Sequence, residues 1–80
     1  MNDWKLLKVV TDGEPLKLEG ENVWAFEWDD IELDSFEVPH PSYPNQRHRL
    51  KPYSITVGKK TIAFAAGELS NSVWCFYVPA

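Results

Sequence analysis

The chain has 80 residues, a formal net charge of −4, 44% apolar and 25% charged side chains. A common domain runs to roughly 100–150 residues, so this length allows one domain over 1–80 and excludes a two-domain enzyme. The charged fraction is that of an ordinary globular domain, and four Trp, three Tyr and four Phe supply a core, which excludes disorder of the whole chain.

In chain order, Trp4 to Val10 is predicted as a strand: Trp4, Leu6 and Val10 share one parity, Lys8 is the exception, and Val9-Val10 are β-branched. A short helix is the rival there. Thr11-Asp12-Gly13-Glu14-Pro15 is a turn cluster, and Leu16 and Leu18 then alternate with Lys17 and Glu19 as a short edge strand. From Asn22 to Trp28 the rings of Trp24, Phe26 and Trp28 recur at period two, which predicts a further strand. Asp29-Asp30 is read as a tight turn. Ile31 and Leu33, then Phe36 and Val38 on the opposite parity, predict a strand with a bulge near Asp34-Ser35, with a helix over Asp29–Phe36 as the alternative.

Residues 39 to 52 hold Pro39, Pro41, Pro44 and Pro52, which remove backbone donors, and are predicted to be one long loop. Tyr53–Val57, Gly58-Lys59 with Lys60, and Thr61–Ala66 form a hairpin pattern. Gly67 to Ser72 is the next reversal, and Val73–Val78 a last strand. The expected fold is mainly β: a small antiparallel sheet or curled half-barrel of five to six short strands, ending in a three-stranded meander, with room for one short helix.

Charge is divided between the two halves. Residues 1–40 carry eleven acids against three bases and residues 41–80 five bases against Glu68 alone. The expectation is that the halves neutralise one another across a shared sheet. The net acidity argues against direct binding of DNA or RNA, whose phosphates require a basic footprint. No apolar run approaches the ~20 residues that cross a bilayer as a helix, so no membrane partner is expected. A single cysteine, Cys75, cannot form an internal disulfide, and Lys5 and Lys8 interrupt the first apolar stretch; both features point to the cytoplasm.

A catalytic Cys75 would need a histidine beside it, and the sequence places neither His40 nor His48 there, so it reads as a small buried hydrophobe. The two histidines lack the spacing of a zinc site, and Asp29, Asp30, Glu32 and Asp34 lack the glycine and glutamate of a calcium loop. With no phosphate loop and no GxSxG or HExxH pattern, no enzyme, metal or cofactor is expected.

Recognition remains. Asp30, Glu32 and Asp34 on a strand would form a row of carboxylates spaced about 6.6–6.8 Å apart, flanked by Asp29 and Glu37. Such a row steers a basic protein partner. Tyr43, Arg47, His48 and Arg49, with Lys51 and Tyr53, mark the proline-rich stretch as a second contact. Small size, acidity, β pattern and absence of a catalytic constellation are similar in type, though in no shared motif, to bacterial immunity proteins and phage-encoded inhibitors. The expected function is therefore a small acidic cytoplasmic inhibitor that binds a basic protein, with a homodimer left open. The alternative is a carbohydrate or ligand-binding module using an aromatic sheet face formed by Trp24, Phe26 and Trp28, rings that otherwise fill the core.

Overall fold

The computed structural model describes residues 4–31 and 34–80. Its strands are β1 (Trp4–Thr11), β2 (Lys17–Leu18), β3 (Glu21–Asn22), β4 (Asp29–Asp30), β5 (Phe36–Pro39), β6 (Arg47–Val57), β7 (Lys60–Ser70) and β8 (Val73–Pro79), with one 3₁₀ turn at Val23–Ala25. Every pairing is antiparallel. The main sheet runs β1-β8-β7-β6, and the far side of β6 is shared by β5, opposite Arg47–Leu50, and β4, opposite Tyr53–Ser54. β2 and β3 form a separate two-stranded hairpin. Among the described residues no helix is long and apolar enough to cross a membrane.

The expected mainly β, antiparallel architecture is present, and β6, β7 and β8 are the expected meander. Val57 pairs with Lys60 around Gly58-Lys59, and Gly58 takes φ 63, the positive value that a two-residue hairpin turn needs at its first central position. β6 and β7 are each eleven residues long, not short. The next reversal is tighter than expected, because Gly67–Ser70 still belong to β7 and only Asn71-Ser72 turn.

Four further expectations are overturned. Asn22–Trp28 is not a strand: the Asn22 side-chain oxygen accepts from the Trp24 amide at 3.2 Å and the Leu16 amide at 3.5 Å, capping a 3₁₀ turn at the end of the β2–β3 hairpin. Asp29-Asp30 is not a turn but a two-residue strand, and Asp34-Ser35 is no bulge, because both lie outside any strand between β4 and β5. Residues 39–52 are not one loop. The loop is confined to 40–46, and β6 runs from Arg47 through Pro52. The Pro52 carbonyl accepts from the Ile31 amide at 3.5 Å, so its donor-less side faces the gap between β4 and β5, where no ladder bond is lost.

Both faces of the sheet are covered. On one, Val10, Ile55, Ile62, Phe64, Ala66 and Phe76 pack under Leu16, Leu18 and Val23, with Trp24, Phe26 and Trp28 laid over them. The other buries Leu50, Ala65, Cys75 and Tyr77 beneath Trp4, Phe36 and Val38. There the sheet curls far enough for Trp4 of β1 to stack on Phe36 of β5 at 5.6 Å, although no hydrogen-bonded pairing among the described residues closes it into a barrel.

Candidate functional site

β6 carries Arg47, Arg49 and Lys51 at alternate positions, so the three bases share one face while His48, Leu50 and Pro52 take the other. The strands paired to β6 bring the acids. Glu37 lies opposite Arg49 and bridges Arg49 Nη2 at 3.5 Å and Arg47 Nε at 3.8 Å; Asp30 reaches Lys51 Nζ at 3.2 Å. Arg49 Nη1 also donates to Ser35 Oγ at 2.7 Å, and Arg47 Nη2 to the Glu37 carbonyl at 3.2 Å. A fourth pair joins Lys60 to Glu19 at 4.0 Å. Each of these pairs unites an acid of the first half with a base of the second, so the halves do neutralise one another. All are well exposed to solvent, and each is worth only about 0–1 kcal/mol.

Glu27, Asp29 and Asp34 are exposed and, among the described residues, lie within ion-pair distance of no cation. Glu32 lies outside the described residues. The expected row of carboxylates along one strand does not form, because Asp30 belongs to β4 and Asp34 to no strand. Asp34 instead lines a cleft of about 570 Å³ together with Ser35, Arg49, Lys51, Tyr53, Glu68 and Trp74. Ser35, Glu68 and Trp74 were not foreseen as site residues. Trp74 reads from its parity as core and Glu68 as part of a turn, and only the pairing of β7 with β8, Glu68 opposite Trp74, sets them at one cleft.

The 40–46 loop is closed by His40 N–H donating to the Gln46 carbonyl and Gln46 N–H to the Tyr43 carbonyl, both at 2.8 Å. His40 Nδ1 accepts from the amides of Ser42 at 3.0 Å and Tyr43 at 3.2 Å, leaving Tyr43 61% exposed at the tip. His48, from β6, sets its ring 5.9 Å from that of His40. Its Nε2 is buried with no hydrogen-bond partner and abuts Gly67, where any Cβ would come within 2.7 Å of it. Burial, reinforced by His40, holds the His48 imidazole below its ordinary value, outweighing an opposing pull from the Gly67 backbone. His48 is thus neutral near pH 7.

Cys75 is fully buried, and its thiol donates to the Gly67 carbonyl at 3.5 Å. Burial pushes its pKa up to about 11, so the thiol stays protonated. The same apolar layer raises Tyr77, with Cys75 adding to the effect. Trp28 contacts Tyr53, Phe64, Trp74 and Phe76 with ring centroids 5.1–5.7 Å apart, and its Nε1 donates to the Val23 carbonyl at 2.9 Å. Trp24 packs on Trp28, Trp74 and Phe76. These rings cover the sheet rather than standing out as a platform. Comparison with protein-family models, with curated proteins and with solved structures finds no match to this chain.

Proposed function

We propose that the protein is a binding protein that blocks a basic protein partner, in the manner of an immunity or anti-defence inhibitor. Its contact surface is the acidic edge formed by Glu27, Asp29 and Asp34, with Tyr43 on the neighbouring loop as a second contact. One observation carries this reading: the bases Arg47, Arg49 and Lys51 are engaged by Glu37 and Asp30, while three acids in no ion pair among the described residues, Glu27, Asp29 and Asp34, are exposed on the short stretch around β4. Uncompensated surface charge of one sign accelerates encounter with an oppositely charged partner and selects against like-charged ones. A binding role is also the better fit to Cys75, since a fully buried, protonated thiol is not poised as a nucleophile.

The test is affinity capture from a lysate of the native host by immobilised wild-type chain and by an Asp29→Asn, Asp34→Asn variant. The wild type should retain a protein with a basic surface that salt releases, and the variant should lose it. Equal capture by both, or none by the wild type, overturns the reading. A ligand-binding module is the second reading, supported by the cleft itself, in which Tyr53 and Trp74 sit beside Arg49, Lys51 and Glu68. Quenching of tryptophan fluorescence by a member of a sugar panel, abolished in Lys51→Ala, would favour it.

A further inference from the structure

β1 is the opposite edge of the sheet from β4: it pairs with β8 alone, and no strand among the described residues meets its other side. An eight-residue strand with an open edge is a template for a further strand. Three of the four exposed large apolar side chains among the described residues lie on it, Leu6 at 44%, Leu7 at 42% and Val9 at 40%. β1 is also irregular, because its register against β8 slips between Leu6 and Lys8, leaving Leu7 as an extra residue. Trp4, Leu6, Val9 and Thr11 consequently share the face of Tyr77 and Cys75, whereas Lys5, Lys8 and Val10 share the face of Phe76 and Trp74.

We propose that this edge pairs with a second copy of the chain, β1 against β1, around a two-fold axis perpendicular to the sheet. Such an axis keeps every residue on its own face in both copies, and directly opposed residues of an antiparallel pair share a face. In an uninterrupted strand that would restrict self-pairing to residues an even number of positions apart. The bulge changes the rule in both copies alike. Setting Leu6 of one copy opposite Val9 of the other then also sets Trp4 opposite Thr11 and Lys5 opposite Val10, and each of these pairs lies on one face.

The same register places two Leu6–Val9 pairs side by side on the side chains that are now exposed, and apolar and β-branched cross-strand pairs stabilise a sheet. Lys5 meets Val10, and Lys8 meets Leu7. Shifting the register by two residues in one direction puts Lys5 directly against Lys8, which is repulsive. Shifting it in the other sets Lys8 against Val9, residues of opposite faces. The self-complementary register is therefore unique among its neighbours. The dimer seam lies away from the acidic β4 edge and does not depend on the partner reading above.

Sedimentation velocity on the full chain over a hundredfold concentration range should show a reversible monomer–dimer equilibrium. Val9→Lys should weaken it at least tenfold while far-ultraviolet circular dichroism stays that of the wild type. Leu6→Thr, which keeps a β-favouring residue, should weaken it as well and serves if the lysine variant does not fold. The register is read by disulfide trapping in a Cys75→Ser background, because Cys75 is the β8 residue directly opposite Val9: Leu6→Cys chains mixed with Val9→Cys chains should cross-link to each other far more than either does to itself. A wild type that stays monomeric throughout, a dimer that both edge variants leave intact, or like-with-like trapping as efficient as the mixed reaction would each overturn the proposal.

Discussion

Gly67 of β7 sits where the neighbouring strand β6 leaves no room for a side chain. An added Cβ there would lie 2.5 Å from the Arg49 carbonyl oxygen and 2.7 Å from His48 Nε2, and the first of these is backbone that cannot swing away. Gly67→Ala should therefore destabilise by roughly 1–3 kcal/mol in urea melts, the range for overpacking a tight site; an unchanged midpoint would show that β6 and β7 yield there. His48 beside it gives a pH dependence whose sign is fixed. Its folded value lies below the ordinary 6.5, so the unfolded chain binds a proton first on acidification. The stability it contributes is complete above 6.5 and is lost as pH falls through the lowered folded value. Melting temperature should drop across the window just below 6.5, and His48→Gln should flatten that drop. Nothing in the sequence marks this pair, since His48 and Gly67 meet only through the register of β6 on β7.

At the scale of elements, what was legible depended on how far local signals agreed with pairing. Between Tyr53 and Val78, β-branched and aromatic residues alternate around glycine and asparagine turns, and the strands form where that pattern runs. Between Arg47 and Pro52 an equally regular alternation, Arg-His-Arg-Leu-Lys-Pro, was outweighed by the prolines. Pro52 is tolerated inside β6 because its missing donor faces the gap between β4 and β5. The Trp24, Phe26, Trp28 periodicity misled in the other direction. A capped 3₁₀ turn followed by extended chain also brings alternate rings to one side, and only the Asn22 cap, a single hydrogen-bonding side chain, separates the two outcomes. The arginines of β6 show what the recovered strand implies. Their pairs with Glu37 are exposed to solvent, so Arg47→Ala with Arg49→Ala should cost only about 0–1 kcal/mol per pair. Thermal melts with a far larger loss would mean that these side chains hold β5 on the sheet.

For the whole molecule, an 80-residue chain buries both faces of one sheet, using the segment between β1 and β4 as a cover on one side and the sheet's own curl on the other. The first cover is centred on Phe64 and Phe76, whose rings lie 5.9 Å apart beneath Trp28. Phe64→Ala should destabilise by roughly 3–5 kcal/mol, a large share of the about 5–15 kcal/mol that holds a small domain together. A loss below 1 kcal/mol in urea would contradict the shared-face packing. Of the candidate site, the opposed charges of the two halves were legible in composition, whereas which acids remain uncompensated was not, because that depends on Glu37 and Asp30 being brought beside β6. The central claim is that these remaining acids recognise a basic protein. It is tested most directly by calorimetric titration of the captured partner against wild type, Asp29→Asn with Asp34→Asn, and Arg47→Ala with Arg49→Ala at low and high salt. Binding should be at least tenfold weaker and less salt-dependent in the acidic-edge variant, and near that of the wild type in the arginine variant. Unchanged affinity in the acidic-edge variant, with the loss appearing instead in the arginine variant, would contradict the claim.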